Sequence, residues 1–203
     1  MTLIVASAIF AYLLGSIPSA VWYGKIFHGV DIRQHGSGNA GATNSLRIFG
    51  KKAGIIVLIF DFLKGFLAVS LTPYFLKSDN ELIPLVMGIL VVLGHIYPVF
   101  AQFRGGKGVA TAIGVVVAVL PMAALGCVAI FLFTVFLTKY VSLGSLLGAL
   151  AFPVQVTLKL WNDVSDPYYF GLTWLFFFIL AYTHRQNIQR LIKGTESKFG
   201  VKK

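Results

Sequence analysis

Long apolar runs alternate with short polar segments along the chain. Thr2–Tyr23 is apolar and long enough to span a bilayer, with Pro18 a candidate kink and Gly15 and Ser19 a small-residue face for close helix contact. It has no positively charged start and no convincing cleavage site, so it reads as a retained helix and not a removed leader. Lys25–Lys52 is polar. Ala53–Leu76 and Leu82–Phe100 predict two further spans, joined by a short turn at Lys77–Glu81. Ser142–Trp161 and Tyr168–Tyr182 predict the last two. Gly144 and Gly148 give the first of these another close-packing face, while Trp161, Tyr168 and Tyr169 suit an interfacial belt. The helical pattern continues beyond Tyr182 toward Gly194, a suitable C-terminal cap.

Between these runs, Val109–Tyr140 reads either as one helix kinked at Pro121 or as a short helix to Leu120 followed by a second from Met122. Charge separates the two. With the split there are seven spans, and one side holds Lys25, Arg33, Arg47, Lys51, Lys52, Arg104, Lys107, Lys139, Arg185, Arg190, Lys193, Lys198, Lys202 and Lys203. The other holds Lys77, Asp79, Glu81, Asp163 and Asp166, with Lys159 nearby. Six spans would put the basic tail on the acidic side, against the positive-inside rule. The expectation is therefore an all-α polytopic membrane protein, residues 1–203 as a single domain, with seven transmembrane helices, the N-terminus outside and the C-terminus cytoplasmic. The fourth helix would cover only about 18 Å and must sit in a thinned or protein-shielded place.

Composition supports the membrane class: of 203 residues, 57% are hydrophobic and 12% charged. A net charge of +10 would suggest nucleic acid for a soluble protein, but topology accounts for it here and no nucleic-acid partner is expected. The single cysteine, Cys127, lies in an apolar run and reads as a buried small hydrophobe.

The chemistry falls on the basic side. In Phe103-Arg104-Gly105-Gly106-Lys107-Gly108-Val109-Ala110-Thr111, glycines let successive amides converge on an anion. The helix that follows contributes unpaired amides and the positive end of its dipole, and Lys107 a full charge. It is not a Walker A loop, because Lys107 precedes Gly108 and the four-residue spacer is missing. A basic turn would satisfy topology alone, but topology does not require Gly-Gly-Lys-Gly.

The run Gly36-Ser37-Gly38-Asn39-Ala40-Gly41-Ala42-Thr43-Asn44 offers amides and neutral donors without bulk. A short surface helix over Ala42–Phe49, ended by Gly50, would point Arg47 back toward these glycines and favour a second anion site over a merely flexible loop. In the C-terminal segment His184, Asn187 and Arg190 share one helical stripe, a pattern an ordinary juxtamembrane helix also gives. Asp61 and Lys64, three apart inside a span, read as a self-neutralising pair, with support for the loops above as the functional alternative, and His95 reads as a structural histidine.

Together these stretches resemble the bacterial acyl-phosphate:glycerol-3-phosphate acyltransferases of the inner membrane. The resemblance is carried by Gly36–Asn44, by Gly94-His95-Ile96-Tyr97-Pro98-Val99-Phe100 running into Gly105–Thr111, by His184–Ile188, and by Asp61-Phe62-Leu63-Lys64-Gly65. It implies transfer of a fatty acyl group from acyl phosphate to the 1-hydroxyl of sn-glycerol 3-phosphate, giving lysophosphatidic acid. It also implies a seven-helix fold with a cytoplasmic-facing site in the bacterial inner membrane, and a link to the enzyme that makes acyl phosphate.

The residues suit that chemistry. Both substrates carry phosphate, and no histidine is followed five residues later by Asp, so the His–Asp base of other glycerolipid acyltransferases is missing. Acyl phosphate is already activated, which leaves positioning and electrostatics to the protein, with no cofactor and no metal. A substrate phosphate can accept the hydroxyl proton, with His184 the alternative base. The expected catalytic residues are His184, Lys107 and Asn39. Ser37, Gly38, Asn44, Arg47, Gly105, Gly106, Lys107, Gly108 and Asn187 are expected to bind substrate, with amides around Gly106 and Gly108 completing the cradle. An anion transporter is the rival class, but transporters commonly bind at the midplane between repeated halves, and no repeat is visible here.

Overall fold

A computed structural model describes residues 2–76, 80, 82–160 and 167–200. The acidic side of the expected topology (Lys77, Asp79, Glu81, Asp163 and Asp166), Trp161 and the terminal Lys202 and Lys203 lie outside the described residues. Every regular element described is helical, and the chain forms two compact units, Met1–Val119 and Leu120–Lys203.

In the first unit the opening apolar run is broken into α1 (Thr2–Gly15) and α2 (Ser19–His28), bent by 41° where Pro18 removes a backbone donor. A polar loop leads to α3 (Ala42–Phe49), which stops at Gly50 with φ 87°. Then come α4 (Lys51–Ser70), α5 (Thr72–Leu76), α6 (Leu82–Ile96) and α7 (Val109–Val119). Glycines set the helix spacing. A Cβ on Gly15 would strike the carbonyl of Val91, and one on Gly94 the carbonyl of Tyr12, so α1 and α6 meet backbone to backbone. Gly65 against Thr111 and Gly114 against Phe62 make the same kind of seam between α4 and α7.

The second unit holds α8 (Pro121–Thr138), α9 (Val141–Thr157), α10 (Pro167–Thr183) and α11 (Arg185–Ile192). Leu120 leaves the helical region at φ −141° and ψ 81°, as proline disfavours a helical residue before it, so Val109–Tyr140 is two helices and not one continuous helix. Gly144 and Gly148 face Phe131 and Cys127 of α8, as their spacing predicted. The outer side of α8 exposes Leu132, Phe133, Phe136 and Leu137, a surface suited to hydrocarbon.

Among the described residues, three helical stretches are long and apolar enough to cross a membrane: Lys51–Leu76, Leu82–Ala101 and Pro121–Thr138. The bent pair α1 and α2 makes a fourth if it is one span. The helices α7, α9 and α10 are apolar but shorter.

Candidate functional site

The polar loop of the first unit is built around two side chains. Asp31 accepts the Arg33 amide at 3.1 Å and grips the guanidinium through Nε at 2.9 Å and Nη2 at 2.6 Å. That hydrogen-bonded pairing with Arg33 outweighs burial and pulls the Asp31 carboxyl down to about 2, while it raises the Arg33 guanidinium further. Arg33 Nη1 then donates to the carbonyls of Ala101 at 2.7 Å and Arg104 at 3.3 Å, so the loop is fastened to the turn that enters the glycine run. A polar cavity of about 340 Å³ opens beside this clamp, lined by Lys25, Asp31, Arg33, Gln34, Gln102 and Arg104, none of them expected at the site.

Asn44 is the second. Buried at the start of α3, it donates through Nδ2 to the carbonyls of Ile32, His35 and Asn39 at 3.0–3.3 Å and accepts the Ser37 amide at 3.0 Å through Oδ1. Both ends of its amide hold its own loop, which leaves Ser37 exposed above it and Asn39 and Gly38 beside it. Arg47 is also exposed on α3 and makes no hydrogen bond or ion pair among the described residues.

The glycine loop is seated on the end of α6. The Gly106 amide donates to the His95 carbonyl at 3.2 Å and the Gly105 amide to that of Ile96 at 3.1 Å. This changes the expected cradle: Gly106 does not offer its N–H to an anion. Gly108, Val109 and Ala110 have no backbone acceptor among the described residues, and Gly108 takes φ 84°, where a side chain would be strained. Lys107, just before them, is half-buried. No Cβ fits at Gly106, because it would meet the His95 ring and, at 2.7 Å, the carbonyl of Ala40. Two loops far apart in sequence, 36–44 and 105–108, are therefore in contact.

In the second unit, His184 is buried in the break between α10 and α11, with Nδ1 2.8 Å from the Leu180 carbonyl and 3.3 Å from Thr183 Oγ1. A carbonyl only accepts, so Nδ1 carries a hydrogen. Asn187 is buried and donates to Glu196 Oε1 at 2.6 Å; Ser142 donates to the same oxygen at 2.7 Å and Arg190 Nε to Oε2 at 2.6 Å. Burial pushes the Glu196 carboxyl up, but the three donors win and hold it below its ordinary value. Sequence reasoning missed Glu196. Its signal was there: it is the one acidic residue after His184 in an otherwise basic tail.

Residues 5–194 match the family model described as glycerol-3-phosphate acyltransferase. Glycerol-3-phosphate acyltransferases of Fusobacterium nucleatum and Bacillus subtilis are 42% and 44% identical to the chain. The alignments cover 94% of the chain and 95% of the first protein, and 97% of the chain and 97% of the second. Among solved structures, PlsY, an integral membrane glycerol 3-phosphate acyltransferase, superimposes in its glycerol 3-phosphate form with a TM-score of 0.88. It is 40% identical, over 97% of the chain and 96% of that protein.

Proposed function

The chain belongs to the glycerol-3-phosphate acyltransferase family, and on that premise we propose that it takes the acyl group from acyl phosphate and passes it directly to the 1-hydroxyl of sn-glycerol 3-phosphate. The hydroxyl oxygen attacks the acyl carbon, the bond from that carbon to the phosphate oxygen breaks, and inorganic phosphate leaves with lysophosphatidic acid as product. The proton goes to a substrate phosphate or to Nε2 of His184. The observation that carries this reading is the contact of Gly106 with Ala40, which brings the amide- and hydroxyl-rich loop 36–44 against the glycine loop that carries Lys107.

On this reading Lys107 and the amides from Gly108 onward neutralise phosphate charge as the anhydride bond breaks. Ser37, Gly38, Asn39 and Arg47 bind the substrate phosphates, Arg47 through its planar fork. Asn44 acts through the loop it holds, and Gly105 and Gly106 by shaping the cradle. Asn187 orients the acceptor. The reaction needs no metal and no cofactor, since the donor is a mixed anhydride.

The same reading has seven spans with the N-terminus outside and the C-terminus cytoplasmic, in the bacterial inner membrane, and an enzyme upstream that makes acyl phosphate. The break at Leu120 and the one-sided basic loops support that count. The donor is tested by incubating the purified protein with labelled glycerol 3-phosphate and either a long-chain acyl phosphate or the corresponding acyl thioester. Product from acyl phosphate alone is expected; product from the thioester alone would reject the assignment.

A further inference from the structure

One buried cluster beneath the glycine loop is not used by the chemistry above. Asp61 Oδ1, on α4, accepts the Ser19 hydroxyl at 2.6 Å and lies 2.8 Å from Lys64 Nζ. Lys64 also donates, at 2.9 Å, to the carbonyl of Ile17 in the break between α1 and α2. His95 of α6 brings Nδ1 to 3.4 Å from the same carboxylate oxygen, an electrostatic contact that falls short of hydrogen-bond alignment. The side chains of Asp61, Lys64 and His95 are 2–6% exposed.

A buried ion pair contributes little net stability, because desolvation offsets most of the attraction, and in an apolar span it is costly unless complete. Its placement is more informative. Three helical segments converge on Asp61, and the group at the edge of the cluster is the histidine on which the loop is built. The carbonyl of His95 receives the Gly106 amide, and its Nε2 occupies the space a Cβ on Gly106 would need. The position of Gly106 is thus fixed from two sides by one residue, which is itself held against a carboxylate.

We propose that Asp61, Lys64 and His95 are positioning residues for acyl transfer. The ion pair fixes the imidazole, the imidazole fixes Gly106, and Lys107 with the amides after it is thereby held in register with the phosphate that departs. None of the three touches substrate. This inference rests on the acyl-transfer reading and deepens it.

The test compares His95→Asn with His95→Gln in the full-length purified protein, using acyl phosphate and glycerol 3-phosphate. Asparagine keeps a polar atom near Nδ1 and nothing near Nε2; glutamine reaches toward Nε2 and leaves Nδ1 empty. If the ring acts on the loop, His95→Asn lowers kcat about tenfold or more, the scale of one misplaced hydrogen-bonding group, while His95→Gln loses about threefold. KM for glycerol 3-phosphate stays within about twofold in both. A kcat for His95→Asn within twofold of the unaltered protein, a His95→Asn better than His95→Gln, or a loss confined to KM overturns the proposal. Where both variants aggregate on size exclusion in detergent, Ser19→Ala decides it. A fall in kcat of about threefold at constant KM supports the proposal, and an unchanged kcat rejects it. Turnover by the unaltered protein in the same assay tests acyl transfer separately, so the two readings fail by different results.

Discussion

The amide nitrogen of Asn187 lies 2.6 Å from Glu196 Oε1, so the stripe expected to face substrate is held by an acid from the tail beyond it. Glu196→Gln keeps the shape but removes the charge that three donors converge on. Activity should fall about tenfold and the melting temperature by several degrees, since charged hydrogen bonds are the stronger kind. The carboxyl is held below its ordinary 4.5 in the fold. Its contribution is therefore complete above about pH 4.5 and lost as pH falls through the lower folded value. Melting curves from pH 3.5 to 7 should show that acid-side loss in the unaltered protein and less of it in Glu196→Gln.

Lys107→Ala should nearly abolish transfer, whereas Arg47→Lys, which keeps charge and loses the fork, should raise KM for glycerol 3-phosphate by about tenfold with a smaller change in kcat. Steady-state rates over a range of acceptor concentrations check both. Unaltered rates in Lys107→Ala would reject the loop assignment.

Direct transfer has a kinetic signature. Cys127 is 5% exposed in α8, 3.6 Å from the Gln155 amide, and among the described residues no serine in the motifs is hydrogen-bonded to a His–carboxylate pair. Cys127→Ala should stay active, Ser37→Ala should lose binding or rate by about tenfold, and initial-rate plots should intersect. Parallel lines, or a labelled acyl chain trapped on the protein when acceptor is withheld, would show an acyl-enzyme.

For topology, single cysteines replacing Lys51 and Lys198 in the Cys127→Ala background should react with impermeant reagent only from the cytoplasm, and one replacing Asp79 only from outside. Labelling of position 198 from outside would return the count to six.

What local pattern governs was legible in the residues. Period and glycine located the helices and the short α3 with its Gly50 cap, while the break before Pro121 was left open by the local pattern and chosen by the distribution of charge. The Asp61–Lys64 pairing followed from spacing on one helix. What was not legible depends on partners distant in sequence. Nothing near Asn44 announces that Ser37 and three carbonyls will surround it, and nothing near Gly106 announces that its amide belongs to His95. Arg33 was counted only as topology, yet it ties the two loops through the Ala101 carbonyl. The side chains expected at the substrate and those that hold the loops are alike in type; only the folded contacts separate them.

The glycine seams also govern how this protein can change. A Cβ at Gly88 would meet a methyl of Val115, so Gly88→Ala has a natural suppressor in Val115→Ala. At Gly15, Gly65, Gly94 and Gly114 the obstacle is a backbone carbonyl, which every amino acid carries. No second-site replacement can remove it. Across related sequences the first kind of glycine is free to covary with its neighbour, while the second kind must stay fixed without leaving any correlated partner behind.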